Sequence, residues 1–268
     1  MRRAASLLIL SLLATHAGPA MAGETACWFE NGAVVAPAAI GGLAGDYVID
    51  LSSPSSLLHL DVAQGAGYVE TALSLPVRLA GQTVEAAPIT VQTLDYRAVG
   101  FSTPILGVIG ADILDRYVLT LDFSPCRLGL ASLSAGPDRT PGAPLVVAMV
   151  GGVPTVVATA SDGQDGVAGP FALDTASQGG VRARGAADAP RQKSAGVLPA
   201  LSLDGFIRQD VPAVVAGALP HGVVGAIGVQ VLAAYHLRLD PQAGRLWLTP
   251  VADATPPKEK GPGVSAEP

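Results

Sequence analysis

The chain has 268 residues, a formal net charge of −6 and only 14% charged residues, well below the roughly 25% of an average globular protein. That length fits one large or two small domains, and the absence of a basic patch argues against nucleic acid as a partner. Small and β-branched residues abound, which points to an all-β rather than a helical protein.

The N-terminus opens with the basic Met1-Arg2-Arg3, an apolar run over Ala4 to Ala14 and an A-x-A site at Ala20-Met21-Ala22. Residues 1–22 are therefore read as a secretory signal peptide, with the mature chain starting at Gly23. The apolar run is about half of the roughly 20 residues that cross a bilayer, and the helix-breaking Gly18-Pro19 comes soon after it. Glu24-Thr25-Ala26, before Cys27, lacks the apolar residue of a lipobox. The expectation is an exported protein, periplasmic or extracellular, without a stable membrane anchor. Its two cysteines, Cys27 and Cys126, are then most simply a disulfide tying an N-terminal strand to the end of the first half.

Two phrases recur along the chain. Tyr47-Val48-Ile49-Asp50-Leu51-Ser52-Ser53 is answered by Phe171-Ala172-Leu173-Asp174-Thr175-Ala176-Ser177, and Gly107-Val108-Ile109-Gly110-Ala111 by Gly222-Val223-Val224-Gly225-Ala226. Leu114, Tyr117, Asp122, Arg127 and Leu130 are matched by Leu232, Tyr235, Asp240, Arg245 and Leu248, each pair 118 residues apart. Such a run indicates a duplication. Between the phrases, Leu73 to Leu79 and Val84 to Val91 flank the turn Ala80-Gly81-Gln82 as a predicted hairpin, paralleled by Ala200 to Leu203 and Phe206 to Val215 around Asp204-Gly205. Two further hairpins join Val118–Phe123 to Arg127–Ala131 and Leu237–Asp240 to Arg245–Leu248. Only Ala111–Arg116 and Ala226–Ala234 read as helical. The predicted organisation is a lobe over 23–133, a Pro/Gly-punctuated linker over 134–144, a second lobe over 145–250 and a disordered Pro-, Lys- and Glu-rich tail over 251–268.

Asp50 and Asp174 each end an apolar strand, where an unpaired carboxylate is costly to desolvate. A lone Asp in that setting is usually a turn or cap residue. Two of them in register, brought together by pseudo-twofold symmetry, make an acid/base pair instead: neighbouring carboxylates share a proton and one pKa rises. Such a pair activates water and protonates a leaving amine.

Apolar-apolar-Asp-Thr-Gly-x-Ser followed by apolar-apolar-Gly is the signature of pepsin-like and retropepsin-like aspartic proteases. From about Val34 to Leu248 the chain resembles a bacterial exported member with two fused retropepsin-like lobes. The resemblance implies a bilobal all-β acid-protease fold, each lobe with one short helix, and an endopeptidase with Asp50 and Asp174 as the catalytic pair. It implies that Val108-Ile109-Gly110 and Val223-Val224-Gly225 lie beside the two Asp loops. Ser53 and Ser177 would donate to the outer carboxylate oxygens, and Thr175 would bond across the pseudo-twofold axis. A hairpin lid is also implied, with Tyr68 or the Ala80-Gly81-Gln82 turn as candidates. The substrate would be a peptide or protein bound by a monomer, since both lobes are in one chain, with no cofactor and no metal.

The departures lie in the loops. Asp50-Leu51-Ser52-Ser53 lacks the family's threonine and glycine, and Asp174-Thr175-Ala176-Ser177 lacks the glycine. They motivate an alternative, a pseudo-protease that holds extended segments in the cleft without cutting them. No G-x-S-x-G, H-E-x-x-H or P-loop is present. His59, His221 and His236 are isolated, and Asp122 and Asp240 are read as turn-bonding residues.

Overall fold

The computed structural model describes residues 22–95, 99–133, 140, 142–177, 179–183, 196–203, 206–213 and 218–251. The leader up to residue 21, most of the expected linker, the Asp204-Gly205 turn and nearly all of the tail lie outside them. Alternating small and β-branched residues put one side of the outer ribbons, such as Gln82–Gln92, in a core and the other in solvent, whereas Ser56–His59 is buried on both sides. Among the described residues this produces nineteen strands and short helices only.

In the first lobe, β3 (Ala33–Ile40), β4 (Leu43–Asp50), β8 (Ile105–Gly110), β5 (Ser56–His59), β7 (Gln82–Gln92) and β6 (Ala72–Leu79) pair in that order, and β6 closes on β3. The second lobe repeats this with β12 (Val153–Ser161), β13 (Gly166–Leu173), β17 (Gly225–Ile227), β14 (Val181–Ala183), β16 (Phe206–Ala213) and β15 (Gly196–Leu203), with β15 closing on β12. Closure removes free sheet edges. Between the barrels runs a shared sheet of β1 (Ala22–Ala26), β10 (Cys126–Ser132), β9 (Tyr117–Phe123), β18 (Tyr235–Asp240), β19 (Arg245–Pro250) and β11 (Leu145–Val150). The result is an all-β, bilobal molecule.

The shared sheet contains the symmetry axis. Leu119 faces Leu239, Leu121 faces Leu237, and Thr120 faces Arg238. Thr120 and Arg238 are 118 residues apart, so each is the other's equivalent and the pseudo-twofold passes between them. One buried apolar cluster continues through both barrels and includes Ile49, Leu51, Leu119, Phe171, Leu173 and Leu239. Cys27 and Cys126 are joined by a disulfide across a separation of 99 residues, which anchors the chain after β1 to the start of β10.

Three expectations need correction. The first concerns the second glycine phrase. Gly110 pairs with Asp50 and caps the helix Ala111–Leu114, and its equivalent is Gly228, which caps Val229–Leu232. The segment beside the second Asp loop is thus Ala226-Ile227-Gly228; Gly222-Val223-Val224-Gly225 is a look-alike three residues early. Close approach explains both glycines: a Cβ on Gly110 would lie 2.6 Å from the Ser55 carbonyl oxygen, and one on Gly228 1.9 Å from that of Gly179.

The helices also differ. Ala226 and Ile227 are strand residues paired with Ala172 and Leu173, so the second helix starts at Val229 rather than Ala226. The first lobe carries an additional helix, Leu60–Gly65, capped by the His59 imidazole, which accepts from the Asp61 amide at 3.2 Å.

Neither lid candidate covers the Asp loops. Tyr68 places its hydroxyl 2.8 Å from where a Gly41 Cβ would lie, at the β3–β4 turn. Asp50 is at the other end of β4, about 25 Å away at the rise of a strand. The Ala80-Gly81 turn packs on β1 instead, so tightly that a Cβ on Gly23 would be 1.8 Å from the Ala80 carbonyl oxygen.

Candidate active site

Asp50 and Asp174 are delivered by equivalent strand ends. β4 runs parallel to β8, with Ile49 beside Ile109 and Asp50 beside Gly110; β13 runs parallel to β17, with Leu173 beside Ile227. The Asp174 amide donates to the Ile227 carbonyl at 2.9 Å. Each strand end is buried on both faces, so the chain must turn sharply where its apolar residues stop, and the carboxylate falls in that turn. Both Asp residues are 1% exposed.

The two loops are joined by the threonine that only one of them has. Thr175 Oγ1 donates to the Ile49 carbonyl at 2.6 Å and accepts from the Leu51 amide at 3.1 Å, while the Thr175 carbonyl accepts from the Val34 amide at 2.8 Å. Leu51 offers no reciprocal hydroxyl. It is 1% exposed and packs in the common apolar cluster, so half of the bridge is polar and half is apolar.

Asp50 Oδ1 accepts from the Ser52 amide at 2.8 Å and the Ser52 hydroxyl at 2.7 Å. Ser53 does not take the expected role, because its hydroxyl proton goes to the Ser55 carbonyl at 2.9 Å. Ser52, where the signature has glycine, therefore places a hydroxyl on the same Asp50 oxygen that its amide serves. On the other side, Asp174 Oδ1 accepts from the Ala176 amide at 3.0 Å. Its other oxygen, Oδ2, accepts from Nη2 of Arg182. Ser177, expected to donate to this carboxylate, lines the same cavity.

Sequence reasoning misses Arg182. It lies on β14, whose three residues carry no motif, and only the barrel register reveals its meaning. Arg182 pairs with Ala226 as Leu57 pairs with Val108, so the repeat has a leucine where this lobe has an arginine. Its side chain is 19% exposed, and its Nε is buried without a hydrogen-bond partner among the described residues.

A cavity of about 280 Å³ opens on both carboxylates and is lined by Asn31, Ala33, Val48, Asp50, Ser52, Phe101, Asp174, Ala176, Ser177 and Arg182. Its wall is stitched from the first lobe. Asn31 and Gly32 both have positive φ in the β2 (Trp28–Glu30) to β3 turn, a conformation in which Asn-Gly is favoured. Asn31 Nδ2 donates to the Val99 carbonyl at 2.8 Å, and the buried Glu30 accepts from the Ser102 amide at 2.5 Å and from Trp28 Nε1 at 3.0 Å. Phe101 is thereby held over the apolar patch that contains Ala33, Val48 and Leu57.

Burial, and then the charge of Asp50, push the Asp174 carboxyl above its ordinary value; Arg182 and the Ala176 amide act in the opposite direction. The remaining candidates lie elsewhere. Asp240 Oδ1 accepts from the Ala243 amide at 2.9 Å, as a turn residue does, and Asp122 contacts His236 across the shared sheet. His59 contacts Asp95 at 3.0 Å. Among the described residues no group of three or more His, Cys, Asp or Glu is arranged to hold a metal.

No protein-family model matches the chain, and no curated protein matches it. Solved structures do. The aspartic proteinase from Irpex lacteus is similar over 88% of this chain and 99% of its own, with a TM-score of 0.56 at 13% identity. A retropepsin-like aspartic protease from Rickettsia conorii is similar over 42% of this chain and 93% of its own, with a TM-score of 0.33 at 18% identity. The fold is that of the two-lobed aspartic proteinases.

Proposed function

We propose that the protein is an aspartic-type endopeptidase in which Asp50 and Asp174 activate one water molecule. The observation that supports this most is the placement of two buried carboxylates, on symmetry-related loops, against one cavity. In the proposed reaction the ionised member of the pair takes a proton from water, whose oxygen bonds to the peptide carbonyl carbon. The protonated member gives its proton to the amide nitrogen as the C–N bond breaks. The substrate is an extended peptide or protein segment lying across both lobes, and one chain supplies the whole site, so a monomer suffices. The disulfide fits an oxidising compartment, in keeping with export to the periplasm or beyond. Among the described residues no helix is long and apolar enough to cross a membrane.

A second reading is a cleft that binds extended segments without cutting them. The ion pair between Arg182 and Asp174 favours it, since a guanidinium on one carboxylate opposes the retention of a shared proton. Peptide-library hydrolysis between pH 3 and 7 by the wild type, Asp50→Asn and Asp174→Asn separates the two. Cleavage lost in both variants supports the peptidase, and binding without cleavage by the wild type supports the second reading.

A further inference from the structure

Arg182 occupies a position that the fold fills without a charge in its other lobe. The equivalent Leu57 sits in an apolar cluster with Val48 and Val108, so neither the strand pairing nor the barrel closure asks for a cation there. Burying a guanidinium costs several kcal/mol unless it is paired, and the partner here is Asp174. The charged groups lining the cavity, among the described residues, are Asp50 on the first loop, Asp174 on the second and Arg182 on β14. The facing turn and wall contribute Asn31 and Phe101, which are neutral.

We propose that Arg182 is a positioning residue that sets the proton occupancy of the Asp50–Asp174 pair, and with it the pH range in which the site can act as an acid. The proposal rests on the peptidase reading. A pair of carboxylates without a nearby cation holds one proton because two negative charges repel. With Arg182 paired to Oδ2 of Asp174, the doubly ionised pair is compensated, and the proton needed by the leaving amine is released at lower pH. The arginine also takes the work expected of Ser177, orienting Asp174 through Oδ2 while the Ala176 amide holds Oδ1. The consequence is a site confined to acid conditions, with a fixed carboxylate in a loop that lacks the family's glycine.

The test uses Arg182→Leu, which copies the first lobe, and Arg182→Lys, which keeps the charge. Carboxyl ¹³C titration of the full chain is read alongside the pH profile of peptide cleavage from pH 3 to 8. Arg182→Leu is expected to move the upper titration of the pair up by about 1 to 3 pH units, and the alkaline limb of the rate profile with it. Arg182→Lys is expected to stay near the wild type. Superimposable titrations for wild type and Arg182→Leu overturn the proposal, as does Arg182→Lys behaving like Arg182→Leu. If Arg182→Leu does not fold, Arg182→Gln takes its place under the same criteria. Failure of the peptidase reading is a separate result, namely no cleavage by the wild type at any pH, and the carboxyl titration still decides the role of Arg182.

Discussion

Thr175 reaches across the lobe interface to Leu51: its hydroxyl accepts from the Leu51 amide at 3.1 Å and donates to the neighbouring Ile49 carbonyl at 2.6 Å. The two residues hold the same place in their loops, and only one has a hydroxyl. Thr175→Val keeps the shape and leaves a buried N–H and carbonyl without that partner. The expected loss is about 1–3 kcal/mol, measured by urea unfolding.

Leu51 is the apolar half of the same junction. It is 1% exposed, so Leu51→Ala leaves a cavity where the lobes meet. A cost of about 2–5 kcal/mol is expected, again by urea unfolding. A loss below about 0.5 kcal/mol in either variant, on the scale of a surface substitution, would show that the junction is not where the loops are held.

The Asp174 carboxyl, its pKa raised by burial and by Asp50, binds its proton more tightly in the folded state than in the unfolded one. Its effect on stability is unfavourable above the folded pKa, and is relieved as pH falls through that value toward the ordinary carboxylate range. Wild-type stability should therefore gain on that of Asp174→Asn between pH 7 and pH 4. If wild type loses ground over that interval, Arg182 outweighs burial and the Asp50 charge.

The disulfide closes a separation of 99 residues. The chain-entropy account assigns about 4–5 kcal/mol to a loop of that size. Cys27→Ser with Cys126→Ser should lower stability by up to that amount, with reductant leaving the variant unchanged and bringing wild type down to it.

The two-lobed fold is legible in the sequence because the duplication keeps its spacing. Residues paired at 118 put Thr120 opposite Arg238 and set the axis without reference to any side chain. Asp50 and Asp174 stand out because carboxylates that end doubly buried strands need a reason. Other parts are hidden for local causes. Gly222-Val223-Val224-Gly225 imitates the first-lobe phrase closely enough to mask Gly228, and only the strand pairing of Ala226 and Ile227 separates them. Ser52 reads in sequence as the loss of a glycine, yet its hydroxyl and amide both serve Asp50. Arg182 has no motif around it, and becomes visible when the pairing of β14 with β17 is compared with that of β5 with β8, where Leu57 holds the equivalent place.

Hydrolysis of a peptide library from pH 3 to 7 by wild type, Asp50→Asn and Asp174→Asn decides whether the two carboxylates do the chemistry. Cleavage by the wild type is expected, strongest on the acid side, with a loss of at least about 100-fold in each variant, the scale of a lost general acid or base. Equal cleavage by all three proteins would contradict this and remove the two carboxylates from the chemistry.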